Sequence, residues 1–163
     1  MSNRTSFWTF SLAFYARPGV ADVCLDLQDR HSVDVNVLLF LLWQAARGRR
    51  LAEGEIRRVT ALVADWRQHV VLPLHSVRRF LKAPAVDWPA EQLHALRERV
   101  KADELQAERL QQETMERTFA GLGTPDDVAA AAQSSCAAYA EVLAVQFPQQ
   151  HVADLVSHLT GDV

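Results

Sequence analysis

Apolar residues recur at three- and four-residue spacing along nearly the whole chain, and no stretch alternates apolar and polar positions between hairpin-type turns. This pattern predicts helices almost throughout. In the first helix Phe7, Phe10 and Phe14 fall on one face, and the sequence Arg-Pro-Gly at residues 17–19 ends it. A second, short helix is predicted over about residues 20–30.

The most apolar segment runs from residue 35 to residue 43 and is interrupted only by Asn36. It predicts a helix over residues 35–46 that is apolar on nearly every side, with Asp34 at its positive N-terminal end. A helix of this kind belongs in the middle of a bundle. The apolar run is about half of the ~20 residues that cross a bilayer, so we expect no membrane association.

An amphipathic helix follows, with Ile56 at its start and Val70 near its end, and Pro73 is predicted to end or kink it. Helix is expected to resume over residues 74–82, with Pro73 at its first position. Pro84 and Pro89 then separate the two halves of the chain.

Residues 89–120 predict one long charged helix. At 1.5 Å per residue it would extend for about 46 Å, so it must bend or project from a domain of this size. The glycines of residues 121–123 end it, and Thr124 and Pro125 are expected to cap and open the next helix, over residues 129–144. A short helix over residues 149–159 completes the chain.

The order and spacing of several short motifs resemble one known family. These motifs are Ser6-Phe7-Trp8, Tyr15-Ala16-Arg17-Pro18-Gly19-Val20, Leu27-Gln28, Asp34-Val35-Asn36, Leu38-Leu39-Phe40 with Trp43, Trp66-Arg67, Val70-Val71 and Pro73-Leu74. They resemble the uncharacterised proteobacterial family called domain of unknown function 2390, over the first half to two-thirds of the chain. The resemblance implies a small helical bacterial protein and no particular activity. Members commonly carry an Arg after Pro-Leu, where this chain has His75.

The composition fits a single compact domain: 163 residues, of which 49% are hydrophobic and 23% charged. We therefore expect an all-α, single-domain helical bundle of six to eight helices over residues 1–163. In it, the acidic half 87–163 packs on the apolar and basic half 1–86. Cys24 and Cys136 lie in apolar or Ala-rich runs typical of buried thiols, and the N-terminal segment lacks the pattern of a signal peptide, so the expected location is cytoplasmic.

Charge is unevenly distributed. Residues 1–86 carry twelve Lys and Arg against seven Asp and Glu, whereas residues 87–163 carry five against thirteen. The leading hypothesis is a non-enzymatic interaction or regulatory module that binds an acidic protein through Arg49, Arg50, Arg57, Arg58, Arg78, Arg79 and Lys82. RNA or ribonucleoprotein binding by the same residues is the alternative. If the acidic half folds over these residues, their charges are instead neutralised within the chain.

Other site chemistries have weaker support. A helix-turn-helix over residues 20–47 would present an apolar recognition helix, which excludes sequence-specific DNA reading. Glu91 and His94 have the Glu-x-x-His spacing, which di-iron bundles contain twice and this chain contains once. A second candidate set is His151, Asp154 and His158, which share a face of the last predicted helix. These are weak metal candidates, and no cofactor is predicted. The common enzyme motifs are absent, so a metal- or small-molecule-dependent enzyme is the third hypothesis.

Overall fold

The fold was determined as a computed structural model, which describes residues 5–161, and within them the chain is an all-α bundle, as predicted. The helices are α1 (Phe7–Tyr15), α2 (Val20–His31), α3 (Val35–Ala46), α4 (Glu53–Trp66), α5 (Leu72–Lys82), α6 (Ala90–Phe119), α7 (Val128–Leu143) and α8 (Gln149–Thr160). A π-helical turn, Arg67–Val71, joins α4 to α5, so these two form one continuous helix.

Helix α3 is the centre of the bundle, as its apolar sequence predicts. Every residue from Asn36 to Ala45 is buried. Asp34 begins the helix by accepting hydrogen bonds from the N–H groups of Asn36 and Val37. Helices α1, α2, α6, α7 and α8 contact α3, which leaves it no solvent-facing side.

Helix α1 is held against α3 by aromatic rings. Ser6 caps α1 by accepting the Thr9 N–H. The Phe7 ring lies 5.4 Å from that of Phe40 in an edge-to-face arrangement, and 5.5 Å from that of Trp43. The predicted apolar face of α1 is therefore confirmed.

Pro73 does not end the helix, which was one of the two outcomes predicted for it, and it lies at the start of α5 as expected. The proline lacks the N–H that an α-helix would use at this position. The chain instead widens into the π-helical turn, in which the Leu72 N–H donates to the Arg67 carbonyl five residues earlier. Pro73 then lies in the first turn of α5, directly after this wider turn.

The segment after α6 also differs from its prediction. Thr124–Pro125 does not open a helix but forms a two-residue strand, β2, antiparallel to β1 (Arg49–Arg50). Asp127 caps α7 instead, by accepting the N–H groups of Ala129 and Ala130. Pairing with β1 explains the difference, because it holds this segment extended.

Helices α5 and α6 form a hairpin that projects from the bundle. The long helix of the sequence prediction is present as one helix, Ala90–Phe119. No residue between 72 and 103 is buried, whereas the second half of α6 supplies six buried residues to the body. The first half of α6 is thus the part that projects.

Helices α7 and α8 close the bundle over α3. Both thiols, of Cys24 and Cys136, are buried and unpaired, as expected. None of the helices in residues 5–161 has the length and apolar character that crossing a membrane requires.

Candidate functional site

The seven basic residues proposed to bind a partner lie in three separate places. Arg49, in β1, donates to the carbonyl oxygens of Leu122, Gly121 and Gly123 at 2.6–2.8 Å. Its guanidinium group therefore binds the loop after α6. Arg50, next to it, lies 3.7 Å from the Asp126 carboxylate.

Arg57 and Arg58 lie on the first half of α4. The Arg57 Nη2 is 2.6 Å from the Glu53 carboxylate one turn earlier. The guanidinium carbon of Arg58 lies 5.4 Å from the centre of the Phe119 ring, a cation–π distance. Both side chains thus have partners within the bundle.

Arg78 is part of a polar cluster between α5 and α6. Its Nε donates to Oε2 of Glu104, and the Nδ1 atom of His75 is 2.8 Å from the other carboxylate oxygen. Burial opposes ionisation of Glu104, but the hydrogen bonds from Arg78 and His75 outweigh it and hold the pKa of this carboxyl below its usual value. Arg78 is therefore committed to Glu104 and unavailable at the surface.

Arg79 and Lys82 remain exposed near the end of the hairpin. The nearest carboxylate oxygen to Arg79, on Asp29, is 3.9 Å away, and the side chain is 64% exposed. Arg79 follows Arg58 by 21 positions along the continuous helix of α4 and α5, or about 31 Å at 1.5 Å per residue. The seven residues thus do not form one continuous surface. Four of them have acidic partners within the chain: Arg50, Arg57, Arg78 and Arg79.

The residues weighed as metal ligands are also dispersed. The His151 Nε2 atom lies 2.8 Å from Oδ2 of Asp26, and Asp154 accepts a hydrogen bond from Gln150. Glu91 and His94 are exposed on the projecting part of α6. In the described part of the chain, no three His, Cys, Asp or Glu residues lie close enough to hold a metal ion.

The hairpin ends in an exposed apolar groove, which we call the tip groove. It has a volume of about 360 Å³ and is lined by Phe80, Leu81, Pro84, Trp88, Pro89, Gln92, Leu93 and Leu96. The three most exposed large apolar side chains in residues 5–161 all lie at this tip: Phe80 at 66%, Val86 at 61% and Trp88 at 55%. A concentration of this kind is typical of an interaction site.

Two exposed cationic residues lie near the tip groove. The hairpin segment 77–100 carries five Lys and Arg and three Asp and Glu, and Arg78 among them is bound to Glu104. Arg79 and Lys82 lie on the last turn of α5, beside Phe80. Favourable charge at a helix C-terminus is the local reason for them there. Both side chains are exposed, and Nη1 of Arg79 lies 3.9 Å from the Asp29 carboxylate.

The tip groove was not predicted, although the sequence carries a signal for it. Trp88 lies between two prolines, and Phe80 precedes them. The Glu104 cluster was not predicted either. Its signal was a pair of glutamates, Glu104 and Glu108, one turn apart within the apolar stripe of α6.

Comparison with known proteins identifies a family and no activity. No curated protein and no solved structure matches the chain. A family model described as a protein of unknown function, DUF2390, matches residues 6–115, which include α1 to α5, the tip groove and most of α6. The match covers more than half of the chain, as the sequence motifs predicted, and the protein is therefore a member of the DUF2390 family.

Proposed function

We propose that this protein is a protein-interaction module that binds a partner in the tip groove. The observation that carries the proposal is the exposure of Phe80, Val86 and Trp88 on a projecting hairpin. Covering Phe80 and Trp88 would contribute roughly 2–3 kcal/mol each from apolar area alone. Aromatic side chains of this type commonly supply most of the energy of an interface.

The partner best matched to the groove is an amphipathic helix of another protein, with acidic residues beside its apolar stripe. A groove between two helix ends accepts such a helix through side chains at three- and four-residue spacing. Asp or Glu residues beside the stripe would face Arg79 and Lys82. This proposal retains the acidic partner expected from the sequence and assigns it to two of the seven basic residues.

RNA is less well matched to the same surface. A groove for single strands combines a positively charged path with aromatic platforms, whereas the lining of the tip groove is almost wholly apolar. We therefore treat RNA binding as one of the outcomes that the cross-linking test below can detect. We place the interaction in the cytoplasm, a location that the two unpaired thiols support.

The test is photo-cross-linking in the native cell, with benzoylphenylalanine in place of Val86. We expect an adduct on a helical segment that carries Asp or Glu beside apolar residues. The double variant Phe80→Ser/Trp88→Ser should lose that adduct. The variant Leu110→Ser, which removes an exposed apolar side chain outside the tip, should keep it.

Several results would contradict the proposal. An adduct with a second copy of this chain would show self-association, and an adduct with RNA would support the alternative. No adduct, or one that survives the double variant, would show that the tip groove binds no protein. The double variant should remain folded, because its two side chains are already exposed, and circular dichroism checks this.

A further inference from the structure

A second cavity, separate from the tip groove, lies where α1, α2, α3, α5 and α6 meet. We call it the polar cavity. Its volume is about 390 Å³. Three half-exposed leucines, Leu12, Leu25 and Leu105, are in its wall, together with the rings of Trp8 and Tyr15. Ser11, Asn36, Glu104, Glu108 and Gln112 supply its polar side chains.

Gln112 is in the wall of this cavity and is held rigidly. Its Nε2 amide donates to Oγ of Ser11 and to Oδ1 of Asn36, both at 2.8 Å. These two bonds fix the orientation of the amide. The Oε1 atom is buried and accepts no hydrogen bond from the described residues. An unpaired buried carbonyl oxygen costs about 1–3 kcal/mol.

Glu108 is the second unpartnered acceptor. It lies one helical turn before Gln112, so the two side chains share a face of α6. The neighbouring carboxylates are already occupied: Glu104 by Arg78 and His75, and Asp34 by Arg67 and Gln111. No hydrogen bond or ion pair within residues 5–161 reaches the Glu108 carboxylate.

The surroundings of Glu108 favour a cation. Burial raises the pKa of its carboxyl to about 7, and the carboxylates of Glu104 and Asp34 add to this effect. The basic groups of the cavity are Arg78 and His75, both bound to Glu104, and Lys101, which is exposed. Once ionised, Glu108 is the carboxylate of this cavity that has no hydrogen-bond donor within residues 5–161, so a ligand that carries a positive charge and N–H donors would complement it.

We propose that the polar cavity binds a primary amine carried on an apolar body. The ammonium group donates to the Glu108 carboxylate, one helical turn before Gln112. The apolar body lies against Leu12, Leu25 and Leu105. The rings of Trp8 and Tyr15 line the same cavity and add apolar surface for that body. This proposal is independent of the tip groove and of any protein partner.

Calorimetric titration with three probes of one chain length tests the chemistry. The probes are n-hexylamine, n-hexanol and hexanoate, at pH 8. Hexylamine should bind at least tenfold more tightly than the other two, because a charged hydrogen bond contributes about 1.5–3 kcal/mol. If hexanol binds as tightly as hexylamine, the cavity is an apolar pocket with no preference for an ammonium group. If hexanoate binds more tightly than hexylamine, the cavity is an anion site. Either result overturns the proposal.

Glu108→Gln is the decisive variant, with Glu91→Gln on the exposed start of the same helix as its control. The first should lower the affinity for hexylamine about tenfold or more, and the second should leave it unchanged. Glu108→Gln removes a buried charge and keeps the shape, so the fold should persist. Leu105→Ser should weaken binding of the apolar chain, and Lys101→Met should not weaken it. Unchanged affinity in Glu108→Gln would contradict the assignment.

The pH profile gives an independent readout. Hexylamine stays protonated well above neutral pH, as lysine does. Its affinity should therefore rise between about pH 6 and pH 8, as Glu108 ionises. An affinity that does not change over this range would show that Glu108 is not the group that holds the amine.

Discussion

The Nε2 amide of Gln111, in the middle of α6, donates a hydrogen bond of 2.9 Å to Oδ2 of Asp34 at the start of α3. The other oxygen of Asp34 caps α3, and Nε of Arg67 in the π-helical turn lies 3.4 Å from Oδ2. Burial raises the pKa of the Asp34 carboxyl, although Arg67 and Gln111 act in the opposite direction. One carboxylate thus joins three elements around the central helix.

Asp34→Ala should therefore destabilise the protein more than the loss of a helix cap alone. We expect the free energy of unfolding to fall by about 3 kcal/mol, because the variant also leaves the Gln111 amide and the Arg67 guanidinium without their buried partner. The measurement is urea unfolding at pH 7.

Asp127→Ala is the matched control, since Asp127 caps α7 at an exposed position. Its loss should cost only about 1 kcal/mol. Equal losses in the two variants would show that the bonds to Gln111 and Arg67 contribute nothing.

Arg49→Lys should destabilise the loop after α6. Lysine keeps the charge but cannot reproduce the fork that binds three carbonyl oxygens at once. We expect a loss of about 2 kcal/mol in the free energy of unfolding. Arg57→Lys, at an exposed ion pair within one helix, should change it by less than about 0.5 kcal/mol. The measurement is the thermal unfolding of both variants and the wild type, from which the changes in the free energy of unfolding are compared.

Gly123→Ala should be more harmful than Gly19→Ala, although both glycines have positive φ. Each substitution carries the backbone cost of about 1–2 kcal/mol for this conformation. At Gly123 the new Cβ would also lie 2.9 Å from the Arg50 carbonyl oxygen, whereas at Gly19 nothing lies within 4 Å. The expected difference is at least about 1 kcal/mol in chemical unfolding. Equal costs would mean that the loop moves away without penalty.

Glu108→Gln should stabilise the protein at pH 8 and have little effect at pH 5. The pKa of Glu108 is raised from 4.5 to about 7, so the folded state holds a proton that the unfolded state releases. Its contribution to stability is present below about pH 4.5 and is lost as the pH rises to about 7. At pH 8 the variant should be more stable by about 3 kcal/mol.

The check is the free energy of unfolding of both proteins at several pH values. Glu91→Gln, at an exposed position, should follow the wild type throughout. A difference between Glu108→Gln and the wild type that does not change with pH would contradict a raised pKa.

Predictions that rest on hydrophobic periodicity were confirmed. The run of apolar residues from 35 to 43 makes α3 buried on all sides. The two amides within it have hydrogen-bond partners: Asn36 accepts from Gln112, and Gln44 donates to the Phe119 carbonyl at the end of α6. Burial of an apolar run is a local property, because the residues themselves carry the driving force.

Predictions that rest on single residues were less successful. Pro73 ends a helix in an isolated segment, but here contacts of α4 and α5 with α6 keep the helix continuous and a π-helical turn accommodates the proline. Thr124 and Pro125 carry the signature of a helix start, yet pairing with Arg49 and Arg50 holds them extended. Both outcomes depend on a segment far away in the sequence.

The sequence by itself determined the helices, the central position of α3 and the length of α6, because the spacing of apolar residues specifies which face of each helix avoids water. Only the tertiary structure decided which charges are free. Arg78 and Arg79 are neighbours in the chain, but one is bound to Glu104 on α6 and the other is exposed to solvent. Successive residues of a helix point about 100° apart, and which of them meets a partner depends on the helix packed alongside.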